Sequence, residues 1–163
     1  MRRHRGFTLI ELLVVLIIIG VIVSLTIMSI GDNRGEELQR EARRLNAVIE
    51  LAAEEAILRS QPIGIRFDYD RYAFKFLDGE RWTDAEHDRF LRPHTLPEPL
   101  QLDLVVDGLA ANNEEGSRDQ PQILLLTSGE MTPFELVVSH PDLDERYLIV
   151  GSLDGRLEFQ RDD

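Results

Sequence analysis

Arg5-Gly6-Phe7-Thr8-Leu9-Ile10-Glu11-Leu12, followed by the uncharged run from Leu13 to Ile30, is the stretch that decides how this chain folds. Leu12 to Ile30 is 19 residues without a charge. As a helix it spans about 28 Å at roughly 1.5 Å per residue, close to the ~30 Å of a bilayer's hydrocarbon core. Glu11 opens this run. An ionised group at the centre of a membrane helix costs roughly 2.5 to 3.5 kcal/mol on insertion scales, so a carboxylate at the edge of such a span needs a partner or a role. No cation follows it until Arg34. The partner must come from another chain, or from an amine created at the start of this one. Arg2, Arg3 and Arg5 precede the run, and by the positive-inside rule they keep the amino terminus cytoplasmic and send the remainder outward.

The chain has 163 residues, and the part beyond residue 30 has the size of one soluble domain. Its net charge is -12, an acidity that argues against nucleic acid, whose phosphates need a basic footprint. The chain has no cysteine, which excludes thiol chemistry, Fe–S clusters and Cys-type zinc sites and leaves the redox compartment open.

A secretory signal peptide is the simplest alternative reading of the amino terminus, with Ser29-Ile30-Gly31 as its cleavage site. Against it, the apolar run exceeds the usual 7 to 15 residues or so, an acid opens it, and helical patterning continues past the cut. The motif Arg5 to Leu12 instead resembles the class III signal of type IV pilins and type II secretion pseudopilins. That resemblance implies cleavage by prepilin peptidase between Gly6 and Phe7, methylation of the new amino terminus at Phe7, and Glu11 as the fifth mature residue. The cationic amine of a neighbouring subunit's Phe7 would then neutralise Glu11, giving attraction and axial register. The alternative, a monomeric anchor with Glu11 among the headgroups, is also physically tolerable. Removing the leader takes three of the 18 basic residues and leaves 15 against 30 acids, or -15.

Past the span, Gly31 to Gly35 can loosen the helix, and Asn33, three residues before Glu36, caps a restart. Leu38, Ala42, Leu45, Ile49, Ala52 and Ala56 recur at helical spacing, predicting an amphipathic helix that Ser60-Gln61-Pro62 ends. Its outer face carries Glu36 with Arg40 and Glu55 with Arg59, pairs read as solvated. From Ile63 the period changes to two. Ile63, Ile65 and Phe67, then Tyr72, Phe74 and Phe76, predict a β-hairpin, and Asp78-Gly79 a further turn. Leu100 to Val106 alternates as another strand. Asp107 to Gln120 reads as a mobile, strand-poor surface loop. Four short strands close the chain at Gln122–Leu126, Phe134–Ser139, Tyr147–Val150 and Arg156–Phe159. The expected class is α+β: a long amino-terminal hydrophobic helix packed against a carboxyl-terminal antiparallel β-sheet head, as one sheet or two small ones. The expected segments are a leader over 1–6, a transmembrane or filament-core helix over 7–30, an amphipathic periplasmic half over 31–60 and a β-rich head over 61–163.

The run Ile123 to Phe134, with Ser128-Gly129-Glu130-Met131-Thr132-Pro133 at its centre, followed by Asp154-Gly155-Arg156-Leu157, resembles the carboxyl-terminal part of GspH-type minor pseudopilins. Minor pilins of the FimT and FimU kind share that domain. The resemblance implies a structural subunit of a type II secretion pseudopilus, near its tip, that helps initiate or cap the filament. Its partners would be the other minor pseudopilins, the major pseudopilin, prepilin peptidase and the inner membrane, which it crosses once with its head in the periplasm. A minor pilin of a type IV pilus or DNA-uptake filament is the alternative.

No enzyme is expected. Ser128-Gly129 and Ser139-His140 sit in no nucleophile elbow, adjacent strand residues point to opposite faces, and both pairs read as turn chemistry. No phosphate-cradling motif occurs, so no cofactor is expected. Asp84, Glu86, His87 and Asp88, with His94 nearby, and separately Asp103, Asp107, Asn112, Asn113, Glu114 and Glu115, carry ligand atoms for a metal. Both read as solvated polar loops, and no metal site is expected. Within the apolar run, Gly20 and Ser24 lie four apart on one helix face, either a packing surface for neighbouring helices or the ordinary composition of a span.

Overall fold

Leu38, Ala42, Leu45, Ile49, Ala52 and Ala56 form the buried stripe of helix α2 (Asn33–Leu58), each at most 1% exposed. The computed structural model describes residues 9–30, 33–111 and 120–162, the side chains of 22–30 excepted. The chain divides into two compact units, Met1–Glu36 and Glu37–Asp163. The first contains helix α1 (Leu9–Ile30). Gly31 and Asp32, where the sequence loosens the helix, lie outside the described residues. So do Gly6, Phe7 and most of the acidic loop, 112–119.

Helix α2 ends before Pro62 acts. Ser60 takes a left-handed φ of 51°, the Gln61 amide donates to the Ala56 carbonyl at 3.1 Å and the Ser60 amide to Ile57 at 3.1 Å. This is the paired-bond Schellman ending, with serine where glycine is usual.

In the second unit ten strands follow in two antiparallel sheets: β1 (Ile63–Phe67), β2 (Arg71–Asp78), β3 (Arg81–Asp84), β4 (His94–Thr95), β5 (Gln101–Val106), β6 (Leu109–Ala110), β7 (Ile123–Leu125), β8 (Phe134–Ser139), β9 (Arg146–Gly151) and β10 (Leu157–Asp162). The first sheet runs β3-β2-β1-β7, with β4 also on β2. The second runs β10-β9-β8-β5-β6. The apolar stripe of α2 and the inward faces of both sheets form one core: Ile63, Ile65, Phe67 and Phe74 from the first sheet, and Leu102, Leu104, Leu136, Val138 and Ile149 from the second.

Two expectations change, and one short strand is new. The segment Gln122–Leu126 does not join the closing strands, because β7 pairs with β1 through Ile63↔Leu125 and Ile65↔Ile123, which returns it to the first sheet. The supposed loop from Asp107 begins as a hairpin, with β6 pairing Val106↔Leu109 on β5. Asp107 and Gly108 have φ of 52° and 76°, the two positive values of a type I′ turn. The Pro93 to Pro99 segment also contains the short strand β4.

Strand β1 is buried on both faces. Its outward Gly64 leaves no room for a side chain, since a Cβ there would lie 2.5 Å from Pro121 and 3.1 Å from Trp82. Gly151 is as constrained, because a Cβ would stand 2.2 Å from the ring of its cross-strand partner Phe134. Gly151→Ala should therefore cost about 1 to 3 kcal/mol through overpacking. Gly35→Ala, placed in the first turns of α2 with open space around it, should be neutral or add up to ~1 kcal/mol. Urea midpoints of the detergent-solubilised chain give both values, and an unchanged midpoint for Gly151→Ala would refute the close packing on Phe134.

Candidate functional site

Among its described side chains, helix α1 has no polar face. Over Leu9 to Val21 the large apolar side chains are exposed all round, from 44% at Val15 to 84% at Leu9. A helix apolar on every side is stable only when something covers every side, lipid or other helices. Among the described residues no helix is long and apolar enough to cross a membrane, the described side chains of α1 ending at Val21, short of the roughly 20 residues a span needs. Glu11 lies in the first turn of α1 and is exposed. Among the described residues, a Cβ at Gly20 would meet nothing within 4 Å. The Ser24 side chain falls outside the described ones, as do the processing pair Gly6 and Phe7.

In the second unit, two turns far apart in sequence are brought together. Ser128-Gly129 and Asp154-Gly155 meet so closely that a Cβ on Gly155, whose φ is +83°, would lie 2.1 Å from the Gly129 carbonyl oxygen. The Met131 amide donates to the Leu153 carbonyl at 3.3 Å, and the Ile57 side chain closes over Gly129 from α2. Beside this junction the Leu124 amide donates to Thr132 Oγ1 at 3.1 Å and the Thr132 amide to the Leu124 carbonyl at 2.9 Å, which covers the free edge of β7.

The residues that could be taken for chemistry are occupied locally. Ser128 Oγ donates to Glu130 at 3.1 Å, and His140, buried at 5% exposure, accepts the Asp142 amide at 3.0 Å through Nδ1. In the acidic loop, Asp84 binds the Lys75 ammonium at 2.6 Å. Asp88 accepts the amides of Phe90 and Leu91 at 2.9 and 3.0 Å and the Arg59 guanidinium at 3.2 Å. Burial raises the Asp88 pKa, but the two amides and Arg59 outweigh it and hold the carboxyl below its ordinary value. Arg59 thus does more than decorate a solvated helix face, tying Glu55 on α2 to the loop at Asp88.

Sequence patterning missed one cluster. His94 Nε2 of β4 meets both Glu41, at 3.0 Å, and Arg44 of α2, and its ring lies 5.4 Å from Tyr72 on β2. Glu41 and Arg44 one turn apart were the only local signal, because the partner strand lies 50 residues away. Burial pushes the Tyr72 hydroxyl up to about 12, with Arg44 opposing and Glu41 adding. A raised tyrosine pKa means the folded state holds its proton more tightly, so this stabilisation is complete below the unfolded value near 10 and is lost as pH climbs through about 12. Alkaline titration at 295 nm should show an ionisation near 12 that disappears in Tyr72→Phe. Ionisation of all three tyrosines near 10 would refute the buried placement.

Residues 41–155 match the family described as type II transport protein GspH, and residues 1–27 match the prokaryotic N-terminal methylation motif. The chain is 38% identical to type II secretion system protein H of Pseudomonas aeruginosa, over 93% of this chain and 92% of that protein. To the protein of the same name from Aeromonas hydrophila it is 32% identical, over 100% and 98%. The minor pseudopilin EpsH from the type 2 secretion system of Vibrio cholerae superposes with a TM-score of 0.65 at 29% identity, covering 76% of this chain and 96% of that one. The solution structure of Escherichia coli GspH gives 0.61 at 25% identity, over 80% and 93%.

Proposed function

Because the chain belongs to the GspH family, we propose that this minor pseudopilin of the type II secretion system is built in near the tip of a periplasmic pseudopilus, where it helps initiate or cap the filament. The observation that carries the reading is the union, in one chain, of an amino-terminal methylation motif over 1–27 with a head matching the family over 41–155. Its role is structural, and it works with other components of the pseudopilus.

In this reading prepilin peptidase cuts between Gly6 and Phe7, and the methylated amine of Phe7 becomes the first mature group. Before assembly α1 lies in the inner membrane with its amino terminus cytoplasmic and its head periplasmic. Its side chains, apolar on every face, are equally at home among lipid tails and among neighbouring α1 helices, so transfer between the two loses little solvation. The Glu11 carboxylate distinguishes the two environments. An ion at the membrane edge is costly, and against a neighbour's Phe7 amine Glu11 gains a Coulomb partner that fixes axial register. Gly20 and Ser24 supply the small surface on which helices approach closely. The neighbours would be the other minor pseudopilins and the major pseudopilin, and energy for assembly comes from another protein.

Deleting the gene should leave folded exoproteins in the periplasm, and the full-length chain should restore their release. Normal secretion in the deletion strain would overturn the reading in favour of a type IV pilus or DNA-uptake filament. Glu11→Ala should still be processed but should recover at least several-fold less of the other minor pseudopilins on affinity capture. Unchanged recovery would remove Glu11 from the assembly step.

A further inference from the structure

On the outward face of the first sheet, Ala73 of β2 lies opposite Arg66 of β1, between Arg71 and Lys75 on its own strand. A small residue ringed by long charged ones leaves a pit. It is a cavity of about 370 Å³ lined by Arg66, Asp68, Asp70, Arg71, Ala73, Lys75 and Asp84. Lys75 is neutralised inside it, with its ammonium 2.6 Å from Asp84. Arg66 is not matched so well. Its side chain is only 10% exposed, yet its contacts among the described residues are long: Nε lies 3.6 Å from Asp68 and Nη1 donates to the Gln120 carbonyl at 3.4 Å. Charge-assisted hydrogen bonds normally close to about 2.7 to 2.9 Å, and a guanidinium carries five donors in a planar fork. Asp68 is also divided, since Arg71 approaches its other oxygen at 3.5 Å. A guanidinium held only by long contacts keeps donors to offer, and Arg66 lines the cavity.

We propose that this cavity is a binding site for a carboxylate, taken by the Arg66 fork on its floor and by Arg71, half exposed at its rim. Three cations face three carboxylates around the cavity, which leaves no surplus positive charge, so hydrogen-bond geometry selects the ligand. A single planar carboxylate matches two parallel N–H groups of one guanidinium. The carboxylate can be borne by an acidic side chain of another protein or by a free small carboxylate compound. The proposal stands on the geometry of the head and is independent of how the filament assembles.

The test follows the Arg66 Nε–Hε resonance of the full chain in detergent micelles, titrated with sodium acetate and with sodium glutarate against sodium chloride at matched ionic strength. Both carboxylates should shift it saturably and chloride should not. Read on the Arg71 Nε–Hε resonance, Arg66→Lys should weaken glutarate binding at least tenfold, and Ala73→Leu, which fills the pit but keeps the guanidinium, should abolish it. Absence of a saturable shift in the unaltered chain, or equal saturation by chloride, would show a purely structural ion-pair network and overturn the proposal whatever the variants do. In cells, a benzophenone side chain in place of Asp70 distinguishes the sources. A photoadduct with a second polypeptide that is lost with Arg66→Lys identifies a protein carboxylate. Saturable glutarate binding without an Arg66-dependent adduct identifies a free compound.

Discussion

The stripe of α2 from Leu38 to Ala56 is the one surface that both sheets use, and the second unit depends on it. Three of its six residues are alanines, which bring the helix backbone close to the facing sheets, while Leu38, Leu45 and Ile49 fill the space between. Each sheet has one face built for burial, and a sheet with one apolar face needs a covering layer. The order of the chain reinforces the arrangement. Strand β7 returns to the first sheet after β5 and β6 have entered the second, so the two sheets are interleaved in sequence as well as joined through one core.

Helix α1 meets the opposite requirement. Where α2 has one apolar stripe, α1 is apolar all round, and nothing within the described chain covers it. The two helices therefore divide the chain by the origin of their stability. The second unit buries its own apolar surface, whereas the described side chains of α1, Leu9 to Val21, are exposed. In such a helix a lone carboxylate is informative, because an ion costs most where surroundings are least polar, and its position is then set by what can neutralise it.

The parts of the fold that local periodicity determines were legible. All six buried positions of α2 follow from 3.6-residue spacing, and the inward residues of β1, β2, β5 and β8 from alternation. Partner choice was not legible, since alternation says which face of a strand is buried but not which strand lies beside it, and β7 was grouped with its sequence neighbours for that reason. Asp107-Gly108 was a local hairpin signal, obscured by the polar run that follows it. Ser60 was hidden differently. Proline is the visible helix stop, whereas a serine in a left-handed conformation is recognised only from its backbone. Of the residues proposed to act, Glu11, Gly6 and Phe7 rest on the motif alone, while Arg66 looked like any outward charge on an alternating strand.

Arg66 escaped notice because the outward face of β1, which alternation leaves to solvent, is covered by residues distant in sequence. Gly64 meets this by having no side chain beneath Pro121 and Trp82, but Arg66, two residues on, carries its guanidinium into the same covered layer. The burial of β1 and the loosely matched cation are thus one structural fact. In a chain of net charge -12, Arg66 and Lys75 are the only cationic side chains buried among the described residues, and both line the same cavity. Lys75 has its own carboxylate, so the unspent hydrogen-bonding capacity of this layer belongs to Arg66. An acidic surface repels most acidic partners, and this cavity is where such a partner would find guanidinium donors gathered in one place.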